Sequence, residues 1–151
     1  MKLTGAYTVP APREKVFAMI TDPDVLQRVI DGCEKMVKTG EHSYNAHLKL
    51  GVAGLKGSYV GKVQLQDLKV PESYTLVIEG KGGPGFVKGS AKITLTEKDG
   101  QTDVECVADA QVGGMIAAVG SRLIEATAKK MMDEFFRKFA EQVKAEQQAA
   151  K

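Results

Sequence analysis

The chain has 151 residues, of which 43% are hydrophobic and 26% are charged, so it can bury a core within one domain. Its formal net charge of +2 at pH 7 is nearly balanced and gives no support to a nucleic-acid-binding function. No apolar run approaches the roughly 20 residues of a membrane-spanning helix, and the first residues lack the apolar core of a signal peptide. Because the two cysteines also lack CxxC spacing, we expect a cytoplasmic protein with reduced thiols.

A strand pattern and two short helical patterns open the chain. Residues 2–10 alternate between apolar and polar side chains, which is typical of a strand with one buried face. Prolines end this strand, and the apolar spacing of residues 13–21 predicts a short helix. Asp22 followed by Pro23 predicts the N-cap and first position of a second short helix, which ends at Gly32.

Six further strand patterns fill the middle of the chain, and turn signals separate them. The alternating segments are 33–39, 43–52, 55–67, 74–82, 86–97 and 102–112. The sequence Lys98-Asp99-Gly100 is a strong hairpin signal, and Ala53-Gly54 marks another turn. Since short turns join neighbouring segments, we predict an antiparallel sheet.

Residues 113–145 carry a long helical pattern. Apolar and small side chains recur there at three- and four-residue spacing, with charged side chains between them. A helix of roughly 30 residues is about 45 Å long, so a broad apolar surface must lie beneath it. We therefore predict an α+β fold, in which a curved seven-stranded antiparallel sheet wraps around this helix. A single domain would cover residues 1–145, with a short frayed tail at 146–151.

Small residues occupy many inward positions of the predicted strands. They are Ala46, Gly57, Gly61, Gly80, Gly82, Gly89, Ala91, Ala108 and Ala110. Glycine weakens strand interiors, so its presence needs a reason. One reason is curvature of the sheet around the helix, with a filled core. The other is an apolar cavity, which we favour because the small residues fall on several adjacent strands.

A set of short motifs follows in order along residues 1–145. The motifs are Gly5-Ala6-Tyr7 with Val9-Pro10-Ala11-Pro12-Arg13-Glu14; Asp22-Pro23 with Val25-Leu26; Gly32-Cys33-Glu34; Gly80-Lys81-Gly82-Gly83-Pro84-Gly85-Phe86; Ala110-Gln111-Val112-Gly113-Gly114; and Gly120-Ser121-Arg122-Leu123-Ile124 with Ala128-Lys129-Lys130-Met131. In this order the set resembles the CoxG family, which is named for a subunit of carbon monoxide dehydrogenase. That family lies within the SRPBCC superfamily of START-like or Bet v 1-like proteins, whose fold is called the helix grip.

The resemblance implies a non-catalytic role. Members of the family are encoded with carbon monoxide dehydrogenases of the molybdenum hydroxylase type and are associated with attaching that enzyme to the membrane. The fold implies an apolar ligand, such as a quinone or a lipid, and no cofactor. Some relatives carry a C-terminal membrane-directing segment that this chain lacks before Lys151, so we expect transient peripheral contact at the inner face of the membrane.

The predicted cavity lies between the sheet and the helix. Its candidate lining residues are Phe17, Leu26, Ile30, Leu55, Tyr59, Ile78, Phe86, Val87, Ala110, Val112, Met115, Ile116, Val119, Gly120 and Leu123. A glycine inside a helix costs about 1 kcal/mol relative to alanine, and close approach of a ligand or of the sheet would explain Gly120. Arg122 is a candidate polar group at the entrance, where it would donate to a carbonyl or headgroup. The alternative is that its guanidinium extends to solvent.

The remaining side chains predict no catalytic or metal site. His42 falls in a predicted turn and His47 on an outward face, and a site built from Cys33 and Cys106 would need partners from unrelated strands. Residues 80–85 look like a phosphate-binding loop, but a strand rather than a helix follows, so we interpret them as a hairpin tip at the cavity mouth.

Three hypotheses about function therefore remain. The first is a carrier of an apolar ligand, and the second is a ligand-free adaptor for the dehydrogenase. The third is an enzyme of the cyclase or hydratase kind. Such an enzyme would need an inward carboxylate or histidine, and the clear strand patterns contain none.

Overall fold

One antiparallel sheet dominates the computed structural model, which describes residues 1–51 and 56–149. Within those residues the strands are β1 (Lys2–Val9), β2 (Cys33–Gly40), β3 (Ser43–Leu50), β4 (Gly57–Lys69), β5 (Ser73–Gly82), β6 (Gly85–Lys98) and β7 (Gln101–Gly113). Their order across the sheet is β1-β7-β6-β5-β4-β3-β2. The predicted seven-stranded antiparallel sheet is confirmed, while the predicted turn at Ala53-Gly54 lies outside the described residues.

Two short helices follow β1, as the sequence predicts. They are α1 (Arg13–Ile20) and α2 (Pro23–Val29). Asp22 caps α2, since its side chain accepts a hydrogen bond of 2.9 Å from the backbone N–H of Asp24. Pro23 occupies the first helical position, where its missing N–H would have no helical partner in any case.

The C-terminal helix differs from the prediction at its start. A 3₁₀ helix (Gly114–Val119) precedes the α-helix α3 (Ser121–Ala149), and Gly120 separates them with a φ of +102°. The expectation of one continuous helix from residue 113 is therefore wrong, as is the explanation of Gly120 as a glycine inside a helix. Glycine adopts this backbone conformation without steric cost, so it lets the chain change direction. At its other end α3 continues past residue 145 to Ala149.

The main core lies under the C-terminal half of α3. Phe139 and Val143 of α3 are fully buried against the inner face of the sheet and the two short helices. Phe17 of α1 meets Tyr74 of β5 edge to face, with 5.7 Å between ring centroids. This packing holds the C-terminal half of α3 close to the sheet.

A buried polar contact joins α1 to the β6–β7 hairpin. The Thr102 hydroxyl is buried and donates a hydrogen bond of 2.7 Å to the carbonyl oxygen of Ala11, just before α1. The backbone N–H of Arg13 donates to the carboxylate of Glu97 at 2.8 Å. These two bonds fix the start of α1 over the end of the sheet.

Replacing Thr102 by valine should destabilise the fold by about 1–3 kcal/mol, because the buried carbonyl of Ala11 would lose its partner. Urea unfolding of the purified variant measures the change. Thr96→Val is the control, since Thr96 is exposed on β6, and it should stay within about 0.5 kcal/mol of the wild type. Equal effects of the two substitutions would contradict a structural role for the Thr102 bond.

Candidate functional site

A row of small residues crosses the inner face of the sheet. Strand register places Ala46 beside Gly61, and Gly61 beside Gly80. Val87 and Val112 continue the same row on β6 and β7. We call Ala46, Gly61 and Gly80 the small-residue row. Since side chains alternate along strands, these positions share the face that carries the main core.

Open space lies over the small-residue row. A Cβ atom built on Gly80 would meet no described atom within 4 Å, and one on Gly61 would meet only the carbonyl oxygen of Ala46, at 3.9 Å. Ile78 is the next inward position on β5, yet 37% of its surface is exposed. This part of the inner face is therefore not filled by the core.

Other inward glycines have a different role. A Cβ on Gly82 would overlap the carbonyl oxygen of Ser58, and one on Gly89 would lie 2.9 Å from the carbonyl oxygen of Asp109. At these positions the backbones of neighbouring strands approach too closely for a side chain. Both explanations from the sequence therefore apply, curvature at Gly82 and Gly89 and open space at Gly61 and Gly80.

An apolar cluster borders the open space. Tyr59, Ile116 and Ile124 are its buried members, contributed by β4, the 3₁₀ helix and α3. The partly buried side chains packed against them are Met1, Leu48, Leu50, Val87, Val112 and Met131. Burial raises the pKa of the Tyr59 hydroxyl, so this side chain is neutral at ordinary pH.

The β5–β6 hairpin and the 3₁₀ helix close one end of this region. The backbone N–H of Ile116 donates a hydrogen bond of 2.9 Å to the carbonyl oxygen of Pro84 at the hairpin tip. Gly114 has a φ of +81°, and a Cβ there would lie 2.7 Å from the Cα of Gly85. Glycine is required for this close contact. The interpretation of residues 80–85 as a hairpin tip is confirmed, because Gly82 pairs with Gly85 across the turn.

A cleft of about 500 Å³ opens between the end of β7 and the start of α3. We call it the β7–α3 cleft; its lining residues are Met1, Phe86, Ala110, Gln111, Val112, Ala117, Ser121, Ile124 and Glu125. Phe86, Ala110 and Val112 were predicted from the sequence. Its polar members were not, since the break at Gly120 sets how the start of α3 faces β7.

The other predicted lining residues fall into three groups. Tyr59, Ile116 and Val87 belong to the apolar cluster, and Ile78 lies beside the small-residue row. Phe17 and Leu26 are buried, Phe17 within the main core, and Ile30 is half-buried just after α2. Met115, Val119, Gly120 and Leu123 are exposed around the helix break, and Leu55 lies outside the described residues.

Exposure at the helix break differs from the sequence expectation. Met115, Val119 and Leu123 were expected to face the sheet together with Ile116. Only Ile116 of these four is buried, and Met115 is 75% exposed. The 3₁₀ helix has three residues per turn, so its side chains do not follow the α-helical stripe of α3.

Arg122 lines a second depression, on the other side of Glu125. We call it the β1–α3 groove; it measures about 510 Å³ and is lined by Lys2, Leu3, Thr4, Arg122, Glu125, Ala126 and Lys129. Within the described parts of the chain, the Arg122 guanidinium has no hydrogen-bond or ion-pair partner. Arg122 therefore lies beside the β7–α3 cleft but not in its lining.

A polar cluster that the sequence did not reveal joins β1 to α3. The Tyr7 hydroxyl donates a 2.6 Å hydrogen bond to Oδ1 of Asp133, and Lys129 Nζ donates to the same oxygen at 2.9 Å. The Tyr7 ring stacks on Phe136, with 4.3 Å between centroids. Burial, followed by the bond to Asp133, raises the pKa of Tyr7 to about 12. The hydroxyl therefore remains a donor across the physiological range.

The bond to Asp133 gives a pH dependence with a definite sign. Hydrogen bonds from Tyr7 and then Lys129 lower the pKa of Asp133 below its usual 3.8. The stabilisation from this carboxylate is therefore complete above the unfolded pKa and is lost as pH falls through the folded one. Asp133→Asn should reduce the unfolding free energy at pH 7 and have a smaller effect at pH 3. Urea unfolding at both values tests this, and an equal loss at the two values would contradict it.

The two cysteines and the metal-binding side chains suggest no reactive centre. Burial raises the pKa of the Cys106 thiol, and it also raises the pKa of Cys33, so neither thiol is activated as a thiolate. Across residues 1–51 and 56–149, no group of three or more His, Cys, Asp or Glu side chains is placed to hold a metal ion.

The architecture is that of the START-like, Bet v 1-like helix-grip class, in which a curved sheet holds a long C-terminal helix. A START superfamily protein from Mycobacterium smegmatis matches with a TM-score of 0.76 and 9% identity, covering 95% of this chain and 97% of that one. A protein from Thermus thermophilus matches with a TM-score of 0.72 and 12% identity, covering 96% and 98%. At these identities the likeness concerns the fold alone.

Sequence comparison identifies the family within this class. The chain belongs to the carbon monoxide dehydrogenase CoxG subunit family, and it matches the family profile over residues 5–144. A conserved protein from Geobacillus kaustophilus is 34% identical, with a TM-score of 0.93 and coverage of 96% of both chains. A comparison with curated proteins gave no match. The resemblance noted in the sequence is therefore confirmed.

Proposed function

We propose that this chain is a non-catalytic accessory protein that carries an apolar ligand for a carbon monoxide dehydrogenase of the molybdenum hydroxylase type. The open space over Gly61 and Gly80 carries the proposal, because a sheet that only had to pack against α3 would have larger side chains there. Membership of the CoxG family supports the accessory role and counts against an enzymatic one.

The chemistry of the site favours a ligand with an apolar body and a small polar head. The walls are apolar, and burial of apolar ligand surface contributes about 25 cal/mol per Å². Gln111, Ser121 and Glu125 in the β7–α3 cleft supply polar atoms that can orient a head group. An isoprenoid quinone or a lipid has this combination of body and head.

Loading of such a ligand calls for contact with the membrane surface. Met115, Val119 and Leu123 form an exposed apolar surface around the helix break, with Arg122 beside it. Apolar side chains next to a cation are typical of peripheral contact with an anionic membrane. Among the described residues, no helix is long and apolar enough to cross the bilayer. We propose transient contact at the inner face of the membrane through these side chains.

The exposure of Met115 also favours a second candidate, a ligand-free adaptor. A side chain of this kind, exposed over three quarters of its surface, is equally suited to dock a partner protein. In that case the apolar surface would bind the dehydrogenase itself. The two candidates differ in whether the open space must stay open.

Filling the open space tests the carrier function. Gly80→Leu places a side chain where no described atom lies within 4 Å, so the fold should keep its stability. The control is Val77→Leu, which enlarges a side chain on the opposite face of the same strand. Each protein is purified from the native host, denatured and extracted for mass spectrometry. We expect the wild type and the control to contain quinone or lipid near one equivalent, and Gly80→Leu to contain at least tenfold less.

Thermal shifts with added quinones complete this experiment. The wild type and the Val77→Leu control should gain stability with added quinone, whereas Gly80→Leu should not. A clean wild-type extract, together with no thermal shift, would overturn the carrier function and favour the adaptor.

Polar substitutions at the helix break test membrane contact. Met115→Ser combined with Val119→Ser should reduce flotation with vesicles that contain anionic lipid at least fivefold, because both side chains are exposed there. The control is Val107→Ser, which replaces an exposed valine on the outer face of β7. If the double variant floats as well as this control, contact through the helix break is wrong.

A further inference from the structure

β1 is an edge strand of the sheet. It pairs with β7 on one side, and across the described residues no strand pairs with it on the other. An unpaired strand edge exposes backbone donors and acceptors that another extended chain can satisfy.

The hydrogen bonds at Met1 fix which backbone groups of β1 are free. The backbone nitrogen of Met1 donates to the carbonyl of Ala110 at 2.9 Å, and the N–H of Ala110 donates back to the carbonyl of Met1 at 2.8 Å. In an antiparallel pair, every second residue bonds to the neighbouring strand and the residues between point away. The N–H and C=O groups of Lys2, Thr4 and Ala6 therefore point away from β7.

The β1–α3 groove runs along this free edge. Lys2 and Thr4 line it from the strand, and Arg122, Glu125 and Lys129 line it from α3. At about 3.3 Å per residue, the edge from Lys2 to Ala6 is about 13 Å long, which suits a peptide of four or five residues. Beyond Ala6 the bond between Tyr7 and Asp133 joins strand and helix, so this contact ends the groove.

Charge indicates what the groove accepts. Its lining contains three cationic side chains and the carboxylate of Glu125. Lys129 is paired with Asp133, but Lys2 and Arg122 have no ion-pair partner among the described residues. An acidic segment would therefore gain favourable contacts along the groove.

The opposite edge of the sheet is less open. β2 is the other edge strand, and α2 packs beside it. The Gln27 side chain of α2 donates a 3.3 Å hydrogen bond to the backbone carbonyl of Glu34, so it already satisfies part of that edge.

We propose that the β1–α3 groove binds an acidic, extended peptide segment of a partner protein, which adds to β1 as an antiparallel or parallel strand. The free backbone groups of Lys2, Thr4 and Ala6 would bond to the peptide, and the cations would select acidic side chains. A second copy of this chain is a poorer occupant, because its own β1 edge carries Lys2 rather than acidic residues. A membrane surface would use the charges but not the backbone groups. The proposal rests on the strand edge and is independent of the ligand space.

Fluorescence anisotropy with a synthetic hexapeptide of alternating glutamate and valine tests the proposal. The same peptide with alternate backbone nitrogens methylated keeps its charge but cannot pair along one edge, so it should bind at least tenfold more weakly. A version with lysine in place of glutamate should not bind measurably.

Substitutions locate the binding. Thr4→Pro removes an edge donor but no bond to β7, and it should weaken binding about tenfold while the circular dichroism spectrum is unchanged. Arg122→Gln should weaken binding about fivefold without affecting the strand, and the loss should shrink at high salt. The matched control is Arg28→Gln, an exposed arginine on α2, which should bind like the wild type.

Several results would overturn the proposal. They are absence of binding, equal binding of the methylated peptide, and equal loss in Arg122→Gln and Arg28→Gln. Sedimentation and vesicle flotation cover the other occupants. Dimerisation that Thr4→Pro abolishes would assign the edge to a second copy, and vesicle binding that Arg122→Gln weakens while the peptide does not bind would assign the groove to lipid.

Discussion

The packing of α3 against the sheet at one end determines the shape of the rest of the molecule. Phe136 stacks on Tyr7 and Phe139 is fully buried, so the C-terminal half of α3 lies directly on the core. A straight helix fixed there passes over the remaining sheet at a height that side chains on both surfaces must fill. Over Gly61 and Gly80 there are none to do so. The ligand space thus follows from where the bulky residues stop.

The inward glycines divide the work of curvature and clearance. At Gly82 and Gly89 the neighbouring backbone leaves no room for a side chain, whereas at Gly61 and Gly80 the room is present. A larger residue would therefore be tolerated at the second pair and not at the first. This contrast separates a requirement of the fold from a feature that the fold itself does not need, which is the pattern expected where function has set the residue.

Local signals in the sequence predicted most of the fold and less of the site. The cap at Asp22 and the Lys98-Asp99-Gly100 hairpin depend on neighbouring residues, so their chemistry is readable directly. The break at Gly120 depends on a backbone angle that an apolar pattern does not record. Likewise the contact between Tyr7 and Asp133 joins residues distant in the chain, and its formation depends on how α3 crosses β1. The cleft residues on the far side of the break were missed for the same reason.

The hydrogen bond from Ile116 to Pro84 bears on how quickly a ligand can exchange. It joins the 3₁₀ helix to a hairpin tip, and neither segment belongs to the core under the C-terminal half of α3. Gly114 and Gly120, on either side of the 3₁₀ helix, both have backbone angles open to glycine. The segment between them can therefore swing as a short arm while the rest of the molecule stays folded. Residence time in the proposed carrier would then follow a local opening, on the microsecond-to-millisecond scale of loop and lid motions, rather than the far slower unfolding of the domain.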